Sequence, residues 1–449
     1  LPIGRSRVRK PLPREEAIDR YKNGYQAGYE QGKIMGLADY TQPFEGTSII
    51  IPTYNGEQLL LECLDSIQAY TSLPYEIIVV DNASTDGTVS ALQKRGGGIR
   101  IGRHAENLGF ARAVNTGLMM AKGSQVLLLN NDTLVTEHWL DHMLICLYSE
   151  PDIGAVGPVT NYIGGEQQIP VPYQVIDEMW DFAKLYNSQS DPARWVKTNR
   201  LAGFCLLLKR SIWEHTGYLD EGYRIGNYED DDYMLRLRFQ GLKLIIAKDV
   251  FIHHVGSATM RTLGSEGYEQ VNGRNEHFFQ QKWGNVHATL SEMQEGGALQ
   301  HRTLRAFNPT HLVVKDMKDR YYWLERGTKY PLQDPLSAAL HFKDVPLLSM
   351  VDLRGLSIGD SLQVEDVLSR QWLLYQGDLD APTEGALYRN DAGQYVQISG
   401  GACRPFLTTY ALNSWHLEPF IRLDQPAFLK ELPPGLVILA APVLGAADL

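Results

Sequence analysis

The chain is poor in cysteine, with four in 449 residues. Cys63, Cys146, Cys205 and Cys403 include no pair at CxxC or metal-ligand spacing, which excludes a disulfide-stapled scaffold and fits a reducing compartment. Positive charge is also short: 42 Lys and Arg face 53 Asp and Glu, a net charge of −11. A general nucleic-acid binder needs a basic surface, so no nucleic-acid partner is expected. No run approaches the roughly 18 apolar residues of a membrane-spanning helix, so no membrane span is expected. Glycine and proline follow no repeat period, which excludes a collagen-like chain. At 44% hydrophobic and 21% charged residues the composition is that of a globular protein. Two phosphate cradles are missing as well, the GxGxxG fingerprint and the GxxxxGK[ST] loop. A diphosphate ligand would then be neutralised most simply by a divalent cation.

What is present divides into three stretches. Residues 1–46 hold a basic arm (Arg5, Arg7, Arg9, Lys10, Arg14) and a helix-like segment. In that segment Tyr21, Tyr25 and Tyr29, and Gly24, Gly28, Gly32 and Gly36, recur every four residues. On a helix each set forms one stripe, suited to packing on the chain's own body or to homo-oligomer contact. The chain begins with Leu rather than Met, as expected of a fragment. Residues 47–290 read as an α/β domain. The runs Ser48–Pro52, Glu76–Asp81 and Val126–Asn130 suit strands buried on both faces of a mostly parallel sheet. Helical patterns lie between them, with Leu59, Leu60, Cys63, Leu64 and Ile67 on one face, then Thr85–Arg95 and Ala111–Ala121. Residues 300–449 are β-rich and self-similar. Tyr321, Gly327 and Pro331 match Tyr395, Gly401 and Pro405 at one constant offset, which reads as a duplicated unit.

In open α/β sheets ligands bind beyond the carboxyl ends of the strands. The first strand is followed by Thr53-Tyr54-Asn55-Gly56, the second by Asp81-Asn82-Ala83-Ser84-Thr85-Asp86-Gly87, and the third by Asn130-Asn131-Asp132. An Asp closing the second strand can accept hydrogen bonds from a nucleoside. The acid run Glu229-Asp230-Asp231-Asp232 precedes a helix expected over Tyr233–Phe239. Acids there favour the positive end of a helix dipole, or one of them serves as a general base.

These segments carry a resemblance. Ile50–Asn55, Val80–Gly87, Asn107–Arg112 with Asn115, Leu127–Asp132, Gly203–Leu208, Gly217–Glu221, Tyr228–Asp232, Ile252–His254 and Arg274-Asn275 are similar, in order, to the motifs of family 2 glycosyltransferases of GT-A fold. The Asn-Asn-Asp form resembles the subgroup of rhamnosyl- and other sugar transferases that build cell-surface polysaccharides. The resemblance implies an inverting, metal-dependent transferase moving a sugar from a nucleotide-diphosphate sugar to a hydroxyl acceptor. It implies that Pro52, Thr53, Tyr54, Asn55, Asp81, Arg112, Asn130 and Asn131 bind the nucleotide sugar. Asp132 and His254 would hold Mn²⁺ or Mg²⁺, Asp230 would be the general base, and Glu229 would orient it or the acceptor. Asn130 stands where the family's motif has its first acid. His253, on the opposite strand face, is not expected at the metal.

Two other readings compete. A sugar nucleotidyltransferase would want a glycine-rich basic loop after the first strand, where this chain has Thr53-Tyr54-Asn55-Gly56-Glu57. A catalytically decayed carbohydrate-binding or scaffold protein would explain the missing first acid. The acceptor is left as a glycan, a lipid-linked sugar or a protein. The C-terminal stretch is expected to bind acceptor or partner, or to pair subunits. The donor's location suggests a cytoplasmic protein.

Overall fold

A computed structural model describes residues 43–96, 98–256, 264–299, 302–376 and 381–445. The chain divides into two units, Leu1–Glu45 and Gly46–Leu449. The basic arm and the striped helix lie outside the described residues.

The second unit is built on one eight-stranded sheet in the order β3-β2-β1-β4-β8-β6-β9-β7. Its strands are β1 Phe44–Thr53, β2 Tyr75–Asp81, β3 Arg100–Arg103, β4 Gly123–Leu129, β6 Ile153–Val159, β7 Trp195–Thr198, β8 Cys205–Lys209 and β9 Lys243–Phe251. Alternate residues of the apolar runs feed opposite faces. Ile50, Ile78, Val80, Val126 and Leu128 pack with Ala113, Val114 and Leu118 of helix Phe110–Met120. Ile49, Ile51, Ile77, Val79, Leu127 and Leu129 pack with Leu60, Leu64 and Ile67 of helix Glu57–Tyr70 and with Trp139 and Met143 of helix Trp139–Ser149. Burial on both faces is why these strands read as continuous apolar runs rather than alternating ones. Gly117 lets its helix close on the sheet, since a Cβ there would lie 2.3 Å from Ile50 Cγ2.

The fold is α/β and GT-A-like, with a smaller β-rich C-terminal region. The parallel character expected from sequence holds for β1–β2–β3 and β6–β9. β8 runs antiparallel to both β4 and β6, and β7 antiparallel to β9, so the sheet is mixed. Strand order turns back between β1 and β4, which opens a crevice at their carboxyl ends. A separate two-strand pair, β5 Thr133–Leu134 with β10 His253–His254, sits just beyond β4.

The C-terminal region contains two four-stranded sheets. One has the order β11-β12-β13-β14, with β11 Leu312–Lys315, β12 Tyr321–Glu325, β13 Thr328–Pro331 and β14 Ser357–Ile358. The other has the order β17-β16-β15-β18, with β15 Leu387–Arg389, β16 Tyr395–Ser399, β17 Ala402–Pro405 and β18 Ile421–Arg422. β12 and β16, β13 and β17, and the helices Pro335–His341 and Thr409–Ser414 each begin 74 residues apart. The fourth strands differ: β14 pairs with β13, β18 with β15. This region shares a core with the α/β body. Leu235 and Phe239 of helix Glu229–Phe239 and Trp283 of helix Gly264–Trp283 pack with Phe307, Val437 and Leu439.

Behind that core lies a buried ion network. Lys282 Nζ is 2.6 Å from both Asp220 Oδ2 and Asp232 Oδ1, and all three side chains are almost fully buried. Arg236 Nε donates to Asp232 Oδ2 at 2.9 Å, and Trp283 Nε1 donates to Asp232 Oδ1 at 2.8 Å. Burial alone would raise Asp232, but Lys282 and Arg236 outweigh it and hold its carboxyl below the usual range. A buried pair that loses one partner leaves an uncompensated charge, at a cost of about 3–5 kcal/mol. Lys282→Met is expected to lose stability of that order in urea denaturation, and a loss under about 1 kcal/mol would contradict the network's role.

Candidate active site

The crevice is a cavity of about 620 Å³ lined by the ends of β1 and β4, the loop before β8, the start of helix Glu229–Phe239, His254 and one face of helix Gly264–Trp283. Pro52, Thr53, Tyr54, Asn130, Asn131, Asp132, Glu229, Asp230 and His254 all line it. The sequence therefore named residues that the fold brings to one place from positions about 200 apart.

The β1 and β4 ends are tied together, because Asn131 Nδ2 donates to Thr53 Oγ1 at 2.9 Å. Three named residues lie outside the lining. Asn55, with φ of 58°, accepts from the backbone N–H of Thr85 at 2.8 Å and so shapes the adjoining turn. Asp81 is fully buried at the end of β2, opposite Thr53, and accepts from Ser84 N at 3.3 Å. Arg112, in helix Phe110–Met120, is buried and paired with Glu221 at 3.3 Å.

Asp132 and His254 meet because β5 and β10 pair antiparallel, with His254 opposite Thr133 and the N–H of Val255 donating to the Asp132 carbonyl. His254 Nε2 is 3.1 Å from Asp132 Oδ1, and both side chains are buried. Phe204 stacks on the imidazole at 5.3 Å. His254 Nδ1 lies 2.8 Å from the Tyr162 carbonyl. A carbonyl only accepts, so Nδ1 carries the proton in that bond. In the neutral ring Nε2 then presents a lone pair to a carboxylate oxygen. Two acceptors at that distance call for a cation or a proton between them, and an imidazole with a carboxylate suits Mn²⁺. The pair thus fits a divalent ion. His253 faces away, with its Nδ1 2.7 Å from Tyr173 Oη, and burial and then the neighbouring His254 push its pKa down to about 4.

The acid run forms the first turn of helix Glu229–Phe239, which therefore begins four residues before the expected Tyr233. Each acid has a different environment. Asp230 accepts from the N–H of Gly203 at 2.9 Å and from that of Asp231 at 2.9 Å. Gly203 permits this approach, as a Cβ there would sit 3.2 Å from Asp230 Cβ. Glu229 is buried, and its Oε2 has no hydrogen-bond partner among the described residues. Burial, then the Asp230 charge, raise its pKa well above the carboxylate range. Asp231 is paired with Arg200, yet burial and Asp230 push it up to about 6. Asp232 turns away into the Lys282 network.

The segment leading into this helix is strained. Ile225, Asn227 and Tyr228 all have positive φ, at 63°, 80° and 74°. For non-glycine residues this costs about 1–3 kcal/mol each. Asn275, fully buried, pays for the shape. Its Nδ2 donates to the carbonyls of Arg224, Gly226 and Asn227, and its Oδ1 accepts from the N–H of Arg224. The Phe110 N–H donates to the Ile225 carbonyl at 2.7 Å. Tyr162, Arg200, Asn227, Tyr268 and Asn272 also line the cavity and are not among the residues expected from sequence. No local pattern marked them. Asn275 falls in the Arg274-Asn275 motif, whose spacing gives no sign of this clamp.

Residues 48–217 match the family model described as Glycosyl transferase family 2. The chain is similar to O-antigen biosynthesis protein RfbC of Myxococcus xanthus, 29% identical over 49% of this chain and 18% of that protein. It is also similar to N-acetylglucosaminyl-diphospho-decaprenol L-rhamnosyltransferase of Mycobacterium tuberculosis, 27% identical over 47% of this chain and 77% of that protein. Of the uncharacterized protein y4gI of Sinorhizobium fredii, 25% identical, it spans 27% of the length. Thus the chain covers well under two thirds of some of these relatives. Among solved structures, the mannosyltransferase PcManGT from Pyrobaculum calidifontis, in complex with GDP-Man and Mn²⁺, overlaps 51% of this chain and 60% of its own at 24% identity and TM-score 0.37. GalNAc-T7 with UDP, GalNAc and Mn²⁺ overlaps 56% of this chain and 50% of its own at 14% identity and TM-score 0.42. The matched segment is therefore similar to family 2 glycosyltransferases.

Removing the clamp on the strained loop should misplace the acid turn. Asn275→Ala strands several buried backbone groups at about 1–3 kcal/mol each. It is expected to lower the urea midpoint and to raise hydrogen exchange in residues 224–230. Unchanged exchange there would contradict the clamp.

Proposed function

We propose that this chain is an inverting, metal-dependent glycosyltransferase with residues 47–290 as its catalytic domain. One observation carries the reading: the Asp132–His254 pair and the Glu229-Asp230 turn face the same cavity at the carboxyl edge of the sheet. In this reading the nucleotide sugar lies along Pro52, Thr53, Tyr54, Asn130 and Asn131. Asn55 and Asp81, at the ends of β1 and β2, and Arg112, beside Glu221, are assigned to the same nucleotide sugar. Asp132 and His254 would hold Mn²⁺ or Mg²⁺, which supplies positive charge for the departing nucleoside diphosphate.

The acceptor oxygen attacks the anomeric carbon from the side opposite the diphosphate. The new C–O bond forms as the bond to the diphosphate oxygen breaks, and Asp230 takes the acceptor's proton. The two backbone N–H groups on the Asp230 carboxylate orient it toward the cavity-facing end of the turn. Glu229, held protonated by burial, can donate a hydrogen bond to the acceptor without adding a second negative charge. The donor belongs to the hexosyl or deoxyhexosyl class, in keeping with the rhamnosyltransferase among the relatives. The acceptor is a hydroxyl of a glycan, a lipid-linked sugar or a protein. The equal spacing of strands in the two C-terminal sheets supports a duplicated unit there. We assign that unit to acceptor binding or subunit pairing. Among the described residues no helix is long and apolar enough to cross a membrane.

Two variants test the roles separately. Asp230→Asn keeps the shape but cannot take a proton, so transfer is expected to fall at least about 100-fold while donor affinity stays within a few-fold. Full transfer by that variant would remove Asp230 as base. Asp132→Ala is expected to weaken donor binding when Mn²⁺ is present and to abolish its sensitivity to chelator. Affinity equal to that of the parent protein, with and without chelator, would undo the metal assignment.

A further inference from the structure

A second group of metal-ligating side chains lies away from this cavity, at the start of helix Trp139–Ser149. His138, Asp141 and His142 each offer one ligand atom, and these atoms lie within 4.8 Å of one another. None of the three lines the candidate active site. His138 and His142 are four residues apart, and their rings are stacked at 5.3 Å with an interplanar angle of 11°. His138 Nδ1 is 3.0 Å from Asp141 Oδ2. His142 is 6% exposed, and its Nδ1 is buried without a hydrogen-bond partner among the described residues. An unpaired buried imidazole nitrogen costs about 1–3 kcal/mol. A bound ion at this imidazole would help to offset that cost.

We propose that His138, Asp141 and His142 bind a borderline transition-metal ion of the Zn²⁺ type. Two imidazoles and one carboxylate form a donor set that selects such ions over Mg²⁺ or Ca²⁺, which prefer all-oxygen sites. Metal–ligand distances of about 2.0–2.2 Å bring donors on one ion to within roughly 4.4 Å of each other, so small side-chain rotations close the set. Burial lowers the pKa of the His142 imidazole. Asp249, buried behind it, adds negative potential and is itself fixed by the indole N–H of Trp195 and the N–H of Asp191.

The site would act as a staple. Val135, Thr136 and Glu137 connect β5 to His138, and the Thr136 hydroxyl donates to the Phe251 carbonyl at 2.6 Å. Fixing His138 against His142 therefore braces the segment that follows Asp132. Three protein donors also leave room for water or an exogenous ligand. The inference stands whether or not the cavity transfers sugars.

The test uses the full chain carrying Asp132→Ala, stripped with chelator and titrated with Co²⁺, the visible absorption reporting imidazole and carboxylate ligation. One equivalent of Co²⁺ is expected to bind and to be displaced by Zn²⁺. Adding His138→Ala is expected to weaken it by roughly tenfold or more. His142 is buried, so the decisive variant is at His138, whose side chain is half-exposed and whose loss leaves the core intact. No Co²⁺ binding by the Asp132→Ala protein, or binding unchanged by His138→Ala, would overturn the proposal.

Discussion

Four consecutive acids, Glu229 to Asp232, must share one helical turn in a largely buried setting, and much of the site follows from how their repulsion is managed. The turn is relieved residue by residue. Asp232 goes to Lys282 and Arg236, Asp231 to Arg200, and Asp230 to two backbone N–H groups. Glu229 receives no such partner at Oε2, and burial makes protonation its cheapest state. A repeated acidic sequence thereby becomes four groups with different partners, of which Glu229 and Asp230 line the cavity side by side.

The same relief links the site to distant parts of the chain. Lys282 closes helix Gly264–Trp283, whose Trp283 packs with Val437 and Leu439 of the C-terminal region. Thr408 donates its hydroxyl hydrogen to the Lys282 carbonyl at 3.2 Å. The β-rich region is thus part of the packing that fixes the acid turn from behind. Asn275, about two helical turns before Lys282, holds the strained loop in front of it. One helix accordingly sets both sides of Glu229 and Asp230.

The α/β core was legible because burial on both faces leaves an unmistakable mark in Ile49–Ile51, Ile78–Val80 and Val126–Leu129. Helix starts were less exact. The helix expected from Thr85 begins at Thr88 because Asp86 instead accepts from the N–H groups of Gly56 and Glu57 and from Thr88. The antiparallel placement of β8 was hidden, since Leu206–Leu208 is as apolar as a parallel strand would be. At the site, the wall residues Thr53, Tyr54, Asn130, Asn131 and Asp132 followed from strand ends alone. The nearness of His254 to Asp132 depends on a pairing only two residues long, which no periodicity announces. The pairing of Arg112 with Glu221, 109 residues away, likewise has no local signal. Tyr162, Arg200 and Tyr268 come from segments without pattern, and the strain at Ile225 leaves no trace in composition.

The central claim is that the cavity uses a divalent ion to release a nucleoside diphosphate from a sugar. The most direct measurement is nucleotide release from UDP-, GDP- and dTDP-sugars by the unmodified chain with Mn²⁺, Mg²⁺ or chelator. The account predicts slow hydrolysis of one donor that requires the metal and stops on chelation. Release that proceeds equally in chelator, or no binding of any nucleotide sugar in the presence of Mn²⁺, would contradict it.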